Sequence, residues 1–228
     1  MSPDRRILPF YGQQDPHLFE IERRCMDRDG VVTGYLDALL PSGIVLDIGA
    51  GDGFTALRLS RTHRRVVAME PAAGMIDRKK SIPWLQGVAQ ECPFRNQAFQ
   101  AAYATWAFFF SGSDLTDRGL REVHRIVQRG GSIVIVENAG NDEFCAFSAR
   151  DISSNSSWWE ERGFACNRLT TAFRFDSLEE GRKLLSFYFG DQGLRVDKRE
   201  IEFKVAVYAS KSSGAVPRND SLETQHRL

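Results

Sequence analysis

The sequence predicts an α/β protein, a mostly parallel sheet of seven strands with helices on both faces. Two observations carry that expectation. A short apolar run, Ile44-Val45-Leu46-Asp47-Ile48, ends in a turn with glycine at alternate positions, Gly49, Gly51 and Gly53, and a helical pattern opens at Phe54. Apolar runs of strand length then alternate with helical segments through residue 137, the order from which parallel sheets are built.

The elements follow in order. Residues 1–13 are irregular, broken by Pro3, Pro9 and Gly12. From about Pro16 to Leu40 the pattern is helical, apolar at Leu18, Ile21, Cys25, Val32, Tyr35, Leu36 and Leu39, with a break at Gly30. Residues 1–40 therefore read as an N-terminal helical cap ahead of one domain at 41–209. Within that domain the expected elements are strand 44–48, helix 53–62, strand 65–69, helix 72–79, strand 83–87, strand 100–105, helix 115–128 and strand 132–137. Asn155 to Arg162 reads as a helix ending at Gly163, Leu169 to Phe175 as a strand, Leu178 to Phe189 as an inserted helix, and Arg199 to Tyr208 as an alternating strand. From 210 to 228 serine, glycine, proline and charge dominate, the composition of a disordered tail.

Composition narrows the function classes. Thirty basic and thirty acidic residues balance, so no overall field draws the chain to nucleic acid. Cys25, Cys92, Cys145 and Cys166 lack C-x-x-C spacing and read as reduced residues rather than a disulfide frame or a zinc site. No apolar run approaches a membrane span and no signal-peptide core opens the chain, so the expected address is the cytoplasm. The expected state is a monomer or homodimer, with no membrane and no nucleic acid as partner.

The glycine turn locates a ligand site, because a backbone without Cβ atoms lets a bound molecule approach closely, and parallel sheets bind ligands at the carboxyl ends of their strands. A dinucleotide fingerprint has G-x-G-x-x-G/A, whereas here the spacing is G-x-G-x-G and Phe54 stands where a small residue belongs. A phosphate loop needs a Lys after its glycines, and none follows. Asp47, two residues before the first glycine, would repel a pyrophosphate and attract a cationic amine.

The form D-x-G-x-G-x-G resembles motif I of the class I S-adenosylmethionine methyltransferases. Arg65-Val66-Val67-Ala68-Met69-Glu70 reads as the next strand ending in an acid, the place of a ribose-binding carboxylate. Gln86-Gly87-Val88-Ala89-Gln90-Glu91-Cys92-Pro93-Phe94 is similar to the adenine segment of the ubiquinone/menaquinone-type small-molecule methyltransferases. Gln97 to Ala104 is similar to their fourth strand, and Glu122 to Ile135 to their helix, Gly-Gly turn and fifth strand; together the resemblance covers roughly 40–140. It implies a Rossmann-like methyltransferase fold with an antiparallel C-terminal strand, and S-adenosylmethionine as cofactor with S-adenosylhomocysteine as product. It also implies a cofactor site at Asp47, Gly49, Ala50, Gly51, Gly53, Glu70, Pro71, Met75, Ala89, Gln90 and Trp106. Two positions depart from the family: Val88 stands where an adenine-binding Asp is common, and Gln100 where an Asp usually buttresses strand four.

Sixteen Phe, five Tyr and four Trp are many for this length, and several fall where an acceptor pocket belongs. Tyr11, His17, Phe110, Asn138 and Trp158 are the expected pocket residues, with Trp106 and Phe108 beside the methyl group; each alone also suits core packing. No catalytic base is assigned, His17 being the one histidine worth considering, and no metal site is expected. An RNA or protein methyltransferase could share the cofactor motifs, and a non-catalytic protein of this fold is the rival of a different class.

Overall fold

The computed structural model describes residues 15–108 and 114–214. Seven strands lie in one sheet: β1 (Gly43–Ile48), β2 (Arg64–Glu70), β3 (Trp84–Gln86), β4 (Phe99–Thr105), β5 (Val127–Asn138), β6 (Ala165–Arg174) and β7 (Glu200–Lys211). Their order is β3-β2-β1-β4-β5-β7-β6. The first five pair in parallel, while β7 runs antiparallel to both β5 and β6. The mostly parallel sheet with an antiparallel C-terminal strand is thus as expected, and the last strand in sequence slots inside the edge strand β6.

Strand alternation sorts the core into two layers. Val45, Val66, Ala68, Ala101, Tyr103, Val134, Val136, Val205 and Val207 face one way. Over them pack α1 (Pro16–Cys25), α2 (Val31–Leu39), α3 (Phe54–Leu59), α5 (Glu143–Ala146) and α7 (Leu178–Phe189), through residues such as Ile21, Leu36, Leu59, Phe144 and Leu184. Leu46, Met69, Ala102, Ile133, Ile135 and Ala206 face the other way, against α4 (Asp114–Ile126) and α6 (Ser156–Glu160). A last short helix, α8 (Asp191–Leu194), follows α7.

The N-terminal helices are tied to the far edge of the sheet by one carboxylate. Asp27, buried and at φ +53°, accepts from the Val32 and Thr33 amides at 3.0 and 3.1 Å and from the Thr171 hydroxyl of β6 at 3.0 Å. The side chain caps α2 and cross-links it to β6 in one step.

Several boundaries differ from the sequence reading. The helix expected at 72–79 is a single 3-10 turn, Ala73–Met75. Gly74 weakens it, and after Ile76 the run Asp77-Arg78-Lys79-Lys80 offers no apolar face to bury. The helix expected at 53–62 stops at Leu59, where the Ser60 hydroxyl turns back on the Ala56 carbonyl at 2.9 Å. Strand β5 begins at Val127, directly after α4, and absorbs the Gly-Gly pair. A register shift between Phe99 and Ala101 makes room, and a Cβ on Gly131 would lie 2.5 Å from the Gln100 carbonyl oxygen. The tail beyond Gly214, and with it the expected disorder, lies outside the described residues.

Candidate active site at the carboxyl ends of the strands

The glycine turn leaves β1 at the carboxyl edge of the sheet. Gly49 and Gly53 have φ of +70° and +77°, a conformation costly for any residue with a Cβ. Gly53 is also the N-cap of α3, and a Cβ there would sit 2.6 Å from both Ile82 and Trp84. The Gly49 and Ala50 amides donate to the Met69 carbonyl at 2.9 and 3.1 Å, holding the turn against the end of β2.

Two carboxylates meet beneath it. Asp47 is 1% exposed; its Oδ2 accepts from the Tyr103 hydroxyl at 2.8 Å, and its Oδ1 has no partner among the described residues. Burial pushes this carboxyl up to about 7, and the nearby Glu70 charge adds to the rise. Burial and the Asp47 charge likewise hold the Tyr103 hydroxyl well above its ordinary value. At the tip of β2, Glu70 accepts from the Gly51 amide at 2.8 Å and the Ala72 amide at 2.9 Å, one on each oxygen. A carboxylate has about four acceptor positions, so each oxygen retains a lone pair for a further donor. Burial raises the Glu70 carboxyl, and the two amides oppose that rise.

Helix α1 lies across the turn. Arg23 and Lys80 both pair with Asp52, Lys80 at 2.7 Å. The Arg23 guanidinium stands 5.9 Å from the Phe19 ring and 5.5 Å from the Phe54 ring. The Phe19 ring comes within 3.4 Å of where a Cβ on Gly51 would be, and Ala107 within 2.5 Å of one on Gly49.

Trp106 sits just past β4 at φ +50°, rare backbone for a tryptophan. Its indole N–H donates to Asn138 Oδ1 at 3.0 Å, its amide donates to the Val136 carbonyl at 2.8 Å, and its ring stacks on Phe203 at 6.0 Å. Asn138 donates in turn to the Ile152 carbonyl at 3.2 Å, so it fastens Trp106 to the loop after α5.

The remaining expected site residues divide. Pro71 follows Glu70 directly, and its carbonyl accepts from Gln86 at 3.2 Å; Met75 is buried nearby in sequence. Ala89 packs against the α4 layer and Gln90 donates to the Leu115 carbonyl at 3.4 Å, which ties the adenine segment to α4. Gln100 accepts from the Ile44 amide and thus braces the start of β1. His17 is 68% exposed on the first turn of α1, beside Glu20. Trp158 is not gathered with Trp106: it packs in the α4 layer on the opposite face of the sheet, under Arg162 at 3.7 Å. Tyr11 and Phe110 lie outside the described residues.

Three groups escaped the sequence reading. Tyr103 pairs with Asp47 in the β1–β4 register, a partnership that only the strand alignment reveals. Glu137 is 4% exposed near the end of β5, accepts from the Phe108 amide at 3.2 Å and is pushed up to about 8 by burial. Its position right after the apolar run Ile133–Val136 was an available signal. Glu22 bonds Tyr188 between α1 and α7. Among the described residues no group of three or more His, Cys, Asp or Glu is placed to hold a metal ion, and no helix is long and apolar enough to cross a membrane.

Comparison with known proteins agrees with this geometry. A family model described as a methyltransferase domain matches residues 46–135. A demethylmenaquinone methyltransferase of Corynebacterium kroppenstedtii is 31% identical over 120 residues, 47% of this chain and 52% of that one. One of Streptomyces avermitilis is 34% identical over 101 residues, 42% of this chain and 43% of that one. The chain thus spans about half the length of the curated relatives it matches. Among solved structures, a SAM-dependent methyltransferase from Thermotoga maritima superposes with a TM-score of 0.58 at 17% identity, covering 89% of this chain and 96% of that one. The [4+2]-cyclase SpnF superposes at 0.53 and 17% identity, covering 81% and 80%, a likeness of fold alone. Glycine turn and strand order thus fall within the stretch, residues 46–135, that is similar to a methyltransferase domain, and the fold is that of the solved methyltransferases.

Proposed function

We propose that the protein transfers a methyl group from S-adenosylmethionine to a small, partly apolar acceptor and releases S-adenosylhomocysteine. The observation that carries this reading is the pairing of an unsatisfied Asp47 oxygen with Glu70 around one glycine turn. A buried carboxylate oxygen without a donor is costly, and an ammonium group is the natural partner for it. Glu70, at the end of the neighbouring strand, suits a vicinal diol such as a ribose. The residues present therefore fit the cofactor that the domain implies.

When bound, S-adenosylmethionine supplies an electrophilic methyl carbon on a sulfonium. The chain's own task is alignment and exclusion of water. Glu70 and the glycine turn fix the nucleoside end, and Asp47 fixes the amino-acid end. Trp106, locked by Asn138 and Phe203, presents an aromatic face at the carboxyl edge, where it favours a cationic centre. Helix α1, held by Arg23 and Asp52, roofs the turn against solvent.

A non-catalytic protein of the same fold is the second reading. It draws on the close seats of Ala107 at Gly49 and Phe19 at Gly51, which narrow the approach to the turn. Calorimetric titration with S-adenosylhomocysteine and S-adenosylmethionine, with NADH as control, separates the two. Saturable binding of both sulfur nucleosides and none of NADH supports the transferase; binding of neither leaves the second reading.

A further inference from the structure

We propose that the molecule carries a second ligand site, a seat for a phosphate monoester at the amino edge of the sheet. It lies at the opposite edge from the glycine turn, so it stands or falls apart from the transferase reading. A groove of about 460 Å³ opens where the parallel strands β2 and β3 begin. Arg61, Arg64 and Arg65 line it from the start of β2 and the turn before it. Ser81, Ile82 and Pro83 line it from the residues that lead into β3.

The arginines are arranged by the fold. Arg61 and Arg64 close a tight turn, the Arg61 amide donating to the Arg64 carbonyl at 2.8 Å and the Arg64 amide to the Arg61 carbonyl at 3.1 Å. The Arg64 guanidinium is 3% exposed and donates to the Pro41, Leu59, Asp37 and Leu40 carbonyls at 3.1, 3.3, 2.9 and 2.8 Å. Those carbonyls fix the cation in place and carry no full charge to neutralise it. Asp37 of α2 accepts from Arg64 at 2.7 Å on one oxygen and from Arg61 at 3.0 Å on the other. The Arg64 bond holds its carboxyl below the usual range, so it is the one anion that the three guanidinium groups share. Arg65 is exposed and has no ion-pair partner among the described residues.

The balance selects the ligand. Three guanidinium groups against one carboxylate leave two positive charges, and a phosphate monoester carries about −1.5 to −2 near pH 7. Arg65 is free to offer its planar fork of donors to two phosphate oxygens. Ser81 is exposed, and its hydroxyl has no hydrogen-bond partner among the described residues. Arg78 and Lys79, a few residues before Ser81, are exposed and unpaired among the described residues and raise the local potential. The zero net charge of the whole chain thus conceals a local surplus. The groove has the volume of a small-molecule site, and Val66, Ile82 and Pro83 give it an apolar part for the organic group of the ester.

The test is calorimetric titration of the full chain with phenyl phosphate, inorganic phosphate, benzoate and a short oligouridylate, at about 0.15 M salt, where distant charges are screened. Phenyl phosphate should bind saturably at one site, more tightly than inorganic phosphate and far more tightly than benzoate. Arg65→Ala should weaken it about tenfold or more, the loss of hydrogen bonds between charged groups. The thermal midpoint should not move, because the Arg65 side chain is exposed and unpaired. Lys211→Ala, which removes an exposed cation at the same edge but beside β5, should leave the affinity unchanged. Failure of phenyl phosphate to bind, or equal losses in the two variants, overturns the site. Equal affinity for inorganic phosphate overturns the ester, and tighter binding of the oligouridylate overturns the small-molecule class in favour of a nucleic-acid backbone.

Discussion

At Asp47 a single carboxylate joins the cofactor turn to the core of the sheet. Its Oδ2 relies on the Tyr103 hydroxyl at 2.8 Å, and both residues are almost wholly enclosed. Replacing Tyr103 with Phe leaves that oxygen without a donor, which costs about 1–3 kcal/mol for a buried polar group. The expected result is a lower urea midpoint with an unchanged m-value; an unchanged midpoint would show the bond to be dispensable. Asp47 was legible because the D-x-G-x-G-x-G spacing stands in one short stretch of sequence. Tyr103 was not, since it is 56 residues away and meets Asp47 only through the β1–β4 register. The same physics hid the aromatic pattern. Trp106 and Trp158 are both expected at the acceptor side, yet Trp158 lies on α6, which packs in the other layer.

At the scale of elements, the turn and its two flanking pieces decide whether a site exists. A Cβ at Gly53 would meet both a left-handed backbone and the Trp84 and Ile82 side chains at 2.6 Å. Gly53→Ala should therefore cost about 2–3 kcal/mol, read as a drop in thermal midpoint. Helix α1 is held to the turn through Asp52, shared by Arg23 and Lys80. Asp52→Asn should speed amide exchange in Pro16–Cys25 about tenfold, equivalent to about 1.4 kcal/mol, while amides of β4 and β5 keep their rates. The strand–helix alternation was legible throughout the central sheet because buried parallel strands read as short apolar runs. The segment at 72–79 misled because Met75 and Ile76 look like the start of a helical face that the following charges never complete.

Across the whole molecule, the buried carboxylates give stability a definite pH dependence. Asp47 is raised from 3.8 to about 7 and Glu137 from 4.5 to about 8. The native state therefore keeps protons that the unfolded chain releases between about pH 4 and pH 8, so stability falls as pH rises through that window. Each tenfold difference in proton affinity between the folded and unfolded chain is worth at most about 1.36 kcal/mol. Urea unfolding at about pH 5 and about pH 8 should show the loss, and Glu137→Gln should reduce it; a stability rising over that range would contradict the buried placement. Whether Glu70 and the glycine turn bind the sulfur nucleoside is tested by titrating S-adenosylhomocysteine into the unmodified chain and into Glu70→Ala. Loss of hydrogen bonds to a charged acceptor is worth about 1.5–3 kcal/mol, so binding to the unmodified chain and a tenfold or greater loss in the variant are expected. Equal affinities in the two proteins would contradict the assignment of the ribose to Glu70.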